Sequence, residues 1–199
     1  EIASCLVGSE MCIRDRPCNL PISKESPVYD HLSELAQRLG RHMAENSPTG
    51  LRTHFGDELL EAFPNENRKT LGGALAELEA DGLVTLSRVL GPHLPRVRTT
   101  VELFVASDAA ITGHDPVDDS VVLARLLLEK PELGGNAQKL EEASGWERRR
   151  FNPAIALLIP HVHDGRVRKS LQNDYPTMGI ILADEDLVEF RRYVQRHTR

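Results

Sequence analysis

LEADGLVTLSRVLGPHLPRVRTTVELFV (residues 78–105) changes its period partway along. Before it, Leu71, Ala74, Leu75 and Leu78 recur at helical spacing behind Asn67, a good N-cap, and Asp81-Gly82 is a good stop, which together predict a helix over Arg68 to about Ala80. After Gly82, LVTLSRVL (83–90) and RVRTTVELFV (96–105) are β-branched and alternating, with GPHLP as the turn between them, so they predict a hairpin. Upstream, Ser26-Pro27 reads as an N-cap with proline at the first helical position, followed by a stripe of Val28, Leu32, Leu35, Ala36, Leu39 and Met43. A shorter helix is expected from about Thr53 to Phe63, with Phe55, Leu59, Leu60 and Phe63 on one face before Pro64. The expected order is three helices and then a hairpin.

The same order recurs downstream. VDDSVVLARLLLE (117–129) is apolar and helical, Asn136 is placed to cap AQKLEEAS (137–144), Gly145 makes a turn, and a third helix runs through FNPAIALLI. RVRKSLQ (166–172) and MGIILAD (178–184) then flank NDYPT as a second hairpin. LGGALAEL (71–78) lines up with FNPAIALL (151–158), and Asp-Gly pairs at 81–82 and 164–165 precede each hairpin, so the chain reads as a duplication of about 80 residues. A last amphipathic helix, DLVEFRRYVQRH (186–197), has Asp184 as its cap and Leu187, Phe190, Tyr193 and Val194 as an apolar face expected to pack on its own half.

LEADGLV and LEEASGWERRRFNPAIALL resemble the winged helix-turn-helix superfamily, in which a small helix, a tight turn with glycine and a longer recognition helix precede a two-stranded wing. The likeness covers about residues 26–184, and its motifs are generic to the superfamily. It implies a mainly α fold with small β-hairpins (α+β), as two tandem winged-helix domains at 26–108 and 117–199 joined by a linker at 109–116. It further implies recognition helices that enter the major groove of double-stranded DNA, with wings on the backbone or minor groove.

The charge pattern favours the second copy as the reader. Between Ser144 and Gln172 six cations, Arg148, Arg149, Arg150, Arg166, Arg168 and Lys169, face only two carboxylates, Glu147 and Asp164. Arginine forks bond phosphates or guanine edges, and Asn152 suits adenine if it faces the groove. Pro153 sits well inside the expected helix, so either the helix starts late with Asn152 as its cap, leaving the three arginines in a turn, or it is kinked. In the first copy Arg68 and Lys69 open the recognition helix and Arg88, Arg96 and Arg98 lie in the wing, but Glu77, Glu79 and Asp81 follow. With 9 Lys+Arg against 13 Asp+Glu over residues 17–108, that copy reads equally as a partner-facing or dimerising domain.

The remaining features bound the class. EIASCLVGSEMCIRDR (1–16) has no structural period, and Cys5 to Arg16 resembles the translation of a transposase-type sequencing adapter, so these residues are set apart from the fold and Pro17 to Glu25 are expected to form an extended arm. On this reading the gene came from an assembled DNA fragment and native residues upstream of Pro17 are missing. Only Cys18 then remains, too few for a disulfide framework or a cysteine metal site. The net charge of −6 excludes a uniformly basic nucleic-acid coat, and no apolar run suits a membrane helix, so the expectation is a cytoplasmic, prokaryotic protein with no membrane partner. No phosphate loop, nucleophile elbow or metal pattern is present: His161 and His163 in PHVHDG lack further ligands, and Trp146 reads as a core anchor. A non-enzymatic DNA-binding regulator of transcription without a cofactor is the expected function. The alternatives are a protein-binding winged-helix module, such as an accessory subunit of a chromosome-maintenance complex, or a plasmid replication initiator.

Overall fold

A computed structural model describes residues 31–88, 93–169 and 174–198; the adapter-like residues, the arm and the Ser26-Pro27 cap lie outside them. The protein is mainly helical, with one three-stranded and one two-stranded antiparallel sheet among the described residues.

The first half runs α1 (Glu34–Glu45), β1 (Thr53–His54), α2 (Gly56–Ala62), α3 (Arg68–Ala80), β2 (Val84–Ser87) and β3 (Arg96–Thr99). Helix α1 starts later than its stripe suggests, because Ser33 caps it, accepting from the Ala36 N–H. Helix α3 spans the expected residues. Asn67 Oδ1 accepts from the N–H groups of Lys69 and Thr70, and Gly82, at φ +75°, turns the chain out at the other end. The stretch expected to open the second helix instead forms β1. Its two residues pair with β3, Thr53 opposite Arg98 and His54 opposite Val97, giving the strand order β1-β3-β2.

Only the first part of RVRTTVELFV is strand. From Val101 the chain forms α4 (Val101–Ile111), because Leu103 and Phe104 find a buried seat in the first core against α1, and tertiary burial overrides the β propensity of the stretch. The span expected as linker thus begins inside a helix, and the connector shrinks to Thr112–Asp115. Leu39, Met43, Leu71, Leu75, Leu78, Val97, Leu103 and Phe104 form the first core.

The second half runs α5 (Pro116–Glu129), a 3₁₀ turn at Pro131–Gly135, α6 (Ala137–Ser144), α7 (Arg148–Leu158), β4 (Val167–Arg168), β5 (Gly179–Ile180) and α8 (Asp184–His197). Asn136 caps α6 as expected, accepting from the Lys139 N–H, and Gly145 ends it at φ +69°. Helix α7 runs unbroken through Pro153, so the late-start reading is corrected: Arg148, Arg149 and Arg150 form its first turn and Asn152 lies inside it. Its core is Leu123, Leu127, Leu140, Phe151, Ile155, Leu158 and Ile180, closed by Phe190 and Tyr193 of α8. Ala183, not Asp184, stands at the N-cap of α8, and the Asp186 carboxylate reaches back to the Ala183 N–H.

Candidate nucleic-acid interface

The helix expected to read bases, α7, has its first two turns docked on the first half. Arg149 donates from both Nη atoms to the Asp108 carboxylate of α4, each at 2.6 Å, and a further bond of 3.2 Å reaches the Ala44 carbonyl at the end of α1. Its guanidinium also lies 4.6 Å from the Phe104 ring centroid. The Arg149 side chain is 15% exposed and that of Asp108 4%. Burial pushes the Asp108 carboxyl up from its ordinary range, against the pull of the Arg149 bonds. Asn152 is 1% exposed and its Nδ2 donates to the carbonyls of Thr49 (2.7 Å) and Asp174 (2.8 Å), while its Oδ1 has no hydrogen-bond partner among the described residues. Pro153 meets the first half at Gly50, held at φ +66°, where an added Cβ would lie 3.1 Å from the proline Cδ.

The neighbouring arginines are also engaged. Arg150 forks onto Asp119 of α5 at 2.8 and 2.6 Å and lies 4.2 Å over the Trp146 ring. Arg148 lies 4.5 Å over the Tyr175 ring, donates to its hydroxyl at 3.0 Å and is paired with Glu141 at 3.5 Å. Arg166, expected in the wing, forks onto Asp186 (2.8 Å) and Glu185 (2.6 Å). The four guanidiniums are paired with carboxylates brought in from other helices, and Asn152, expected to face a groove, is instead buried at the junction of the halves. Arg168 and Lys169 stay exposed, Arg168 donating to the Gly135 carbonyl at 3.2 Å.

The first half shows the reverse pattern. Arg68 and Lys69 are exposed at the N-terminus of α3, where the helix dipole adds partial positive charge. The carboxylates that follow are occupied: Glu77 accepts from the Ser33 N–H, Glu79 from the Leu86 N–H, and Asp81 is bonded to His31. Along β3 the residues alternate, with Val97 and Thr99 buried and Arg96 and Arg98 exposed, and Arg88 is exposed just beyond β2. Among the described residues Lys69, Arg88 and Arg98 make no ion pair.

Two features escaped the sequence. Asp108 and Asp119 are carboxylates on otherwise apolar helix faces, and a buried charge needs a partner, but nothing local says that the partners are Arg149 and Arg150. Phe55, expected on a buried face, follows β1 and is 47% exposed. Among the described residues no cluster of three His, Cys, Asp or Glu is gathered that could hold a metal, and no helix is long and apolar enough to cross a membrane. No family model matches the chain, and neither the curated proteins nor the solved structures contain a significant match.

Proposed function

We propose that the protein binds double-stranded DNA through the first half, with α3 as the recognition helix and β2–β3 as the wing of a winged helix, and that the second half is a winged helix turned inward as a structural partner. Each half has three helices followed by a hairpin, and the β1-β3-β2 order of the first sheet suits a wing packed on a helix-turn-helix. The observation that carries the reading is the exposed set Arg68, Lys69, Arg88, Arg96 and Arg98 beside acidic residues already bonded within the fold. In the second half most of the equivalent cations are neutralised. Phosphate contacts from Lys69, Arg96 and Arg98 set affinity, and the α3 surface around Gly72, Gly73 and Ala76 lets a base edge approach the helix closely. Regulation of transcription is the use that fits such a reader.

The test is binding of the whole chain to a mixed-sequence duplex across a salt series, beside Lys69→Ala/Arg98→Ala and Arg168→Ala/Lys169→Ala. Each lost phosphate contact removes about 0.9 from the slope of log affinity against log salt, so the first pair should flatten it by roughly 2 and the second leave it nearly unchanged. No binding at low salt, or loss confined to the second pair, overturns the proposal. A protein-binding role has one observation in its favour, the exposed carboxylates Asp57, Glu58 and Glu61 along α2. It predicts capture of a basic partner by a chain that ignores DNA.

A further inference from the structure

The outer face of the first sheet is built in two cross-strand rows. Thr53, Arg98 and Thr85 are in register across β1, β3 and β2, and Arg98 and Thr85 are exposed. One step along, Ser87 is in register with Arg96, and on the other side the Phe55 ring lies under the Arg96 guanidinium, 5.4 Å from centroid to carbon. Among the described residues Phe55 is the one large aromatic of this half that is markedly exposed, at 47%, and its ring is held beneath the Arg96 guanidinium. Of its acidic neighbours, Glu58 accepts from the Phe55 N–H and pairs with Arg52 at 3.6 Å.

We propose that this face binds an unpaired nucleotide next to the duplex: a base stacks on Phe55, and Arg96 and Arg98 take the flanking phosphates. The proposal rests on the reading of the first half as the DNA contact and names the form of nucleic acid it prefers, a duplex with a single-stranded tail or opened end. Charge complementarity selects a polyanion, and the flat ring selects one that carries bases. The energetics favour the exchange. A base stacked on an aromatic side chain is held more strongly than an exposed cation–π contact such as Arg96 on Phe55, and the stacking is indifferent to sequence. A base therefore displaces the guanidinium from the ring, and the freed arginine gains a phosphate.

The experiment compares a blunt duplex with the same duplex carrying a short thymine tail, the tail holding one 2-aminopurine. The proteins are the whole chain, Phe55→Ala and Phe55→Trp. Stacking predicts about 5- to 150-fold tighter binding of the tailed duplex by the wild type, with quenched 2-aminopurine fluorescence. Phe55→Ala abolishes both the preference and the quenching while binding blunt duplex as the wild type does, and Phe55→Trp restores them. Equal affinity for tailed and blunt duplex overturns this inference and leaves the duplex reading standing. A tail preference that survives in Phe55→Ala also overturns it. Failure to bind either duplex removes both readings, and Phe55-dependent binding of a hexaglutamate peptide without tail preference makes the face a dock for acidic protein segments instead.

Discussion

Replacing Arg149 with methionine should uncouple the two halves. The substitution keeps an unbranched stem over Phe104 but removes both bonds to Asp108 and the bond to the Ala44 carbonyl. Asp108 is then a carboxylate that is 4% exposed and has lost the cation that balanced it. Breaking a buried pair from one side costs about 3–5 kcal/mol, most of it the desolvation of the charge left behind. With a urea dependence of about 2 kcal/mol per molar, the midpoint should fall by roughly 1.5–2.5 M. Trp146, the one tryptophan of the chain, sits under Arg150 beside this contact, so its emission follows the second half and the junction, while circular dichroism follows the helices of both. The two signals should separate in Arg149→Met if the halves melt independently. Adding Asp108→Leu removes the stranded charge, so the double variant should be more stable than the sum of the singles by at least about 2 kcal/mol. A midpoint shift below about 0.3 M, or single costs that add within about 0.5 kcal/mol, would refute the clasp as a source of stability.

The buried His54 accounts for a second expectation. Burial, reinforced by Arg52, pushes its pKa down to about 4, so between there and the ordinary value near 6.5 the unfolded chain takes up a proton that the folded one refuses. Stability should be full above about pH 6.5 and drop by about 3 kcal/mol as the pH falls to 4, and His54→Gln should flatten urea midpoints measured across that range. Gly50→Ala, at φ +66° and facing Pro153, should cost about 1–3 kcal/mol, whereas Gly73→Ala, with open space around it on α3, should gain about 0.5–1 kcal/mol; a thermal melt of each checks the sign. Asn67→Ala removes the cap of α3 and should lower stability by about 1 kcal/mol, read by the same melts.

Local chemistry made several elements legible. The Asn67 and Asn136 caps and the glycines at 82 and 145 bracket α3 and α6 without ambiguity, since each acts through its own side chain or φ angle within one turn. Strand β1 was hidden because two residues carry no period and its partner lies more than 40 residues away. Helix α4 was hidden because Val101, Phe104 and Val105 favour strands, and only the burial of Leu103 and Phe104 against α1 tips the stretch to helix. The pairing of Arg148, Arg149, Arg150 and Arg166 is illegible for the same reason. Local charge in a sequence counts cations correctly, but whether a cation meets solvent depends on carboxylates delivered by other helices, as Asp108 is 41 positions from Arg149.

The seat of Pro153 on Gly50 makes the contact between the two halves asymmetric. Glycine at 50 leaves room for the Pro153 ring, and Asn152 reaches back to the Thr49 carbonyl from the same turn. The halves meet as plug and socket, so neither surface could be replaced by a copy of the other. A chain built from two copies of the first half would keep that half's core and caps, yet it would leave Asp108 without Arg149 and Gly50 facing no proline ring.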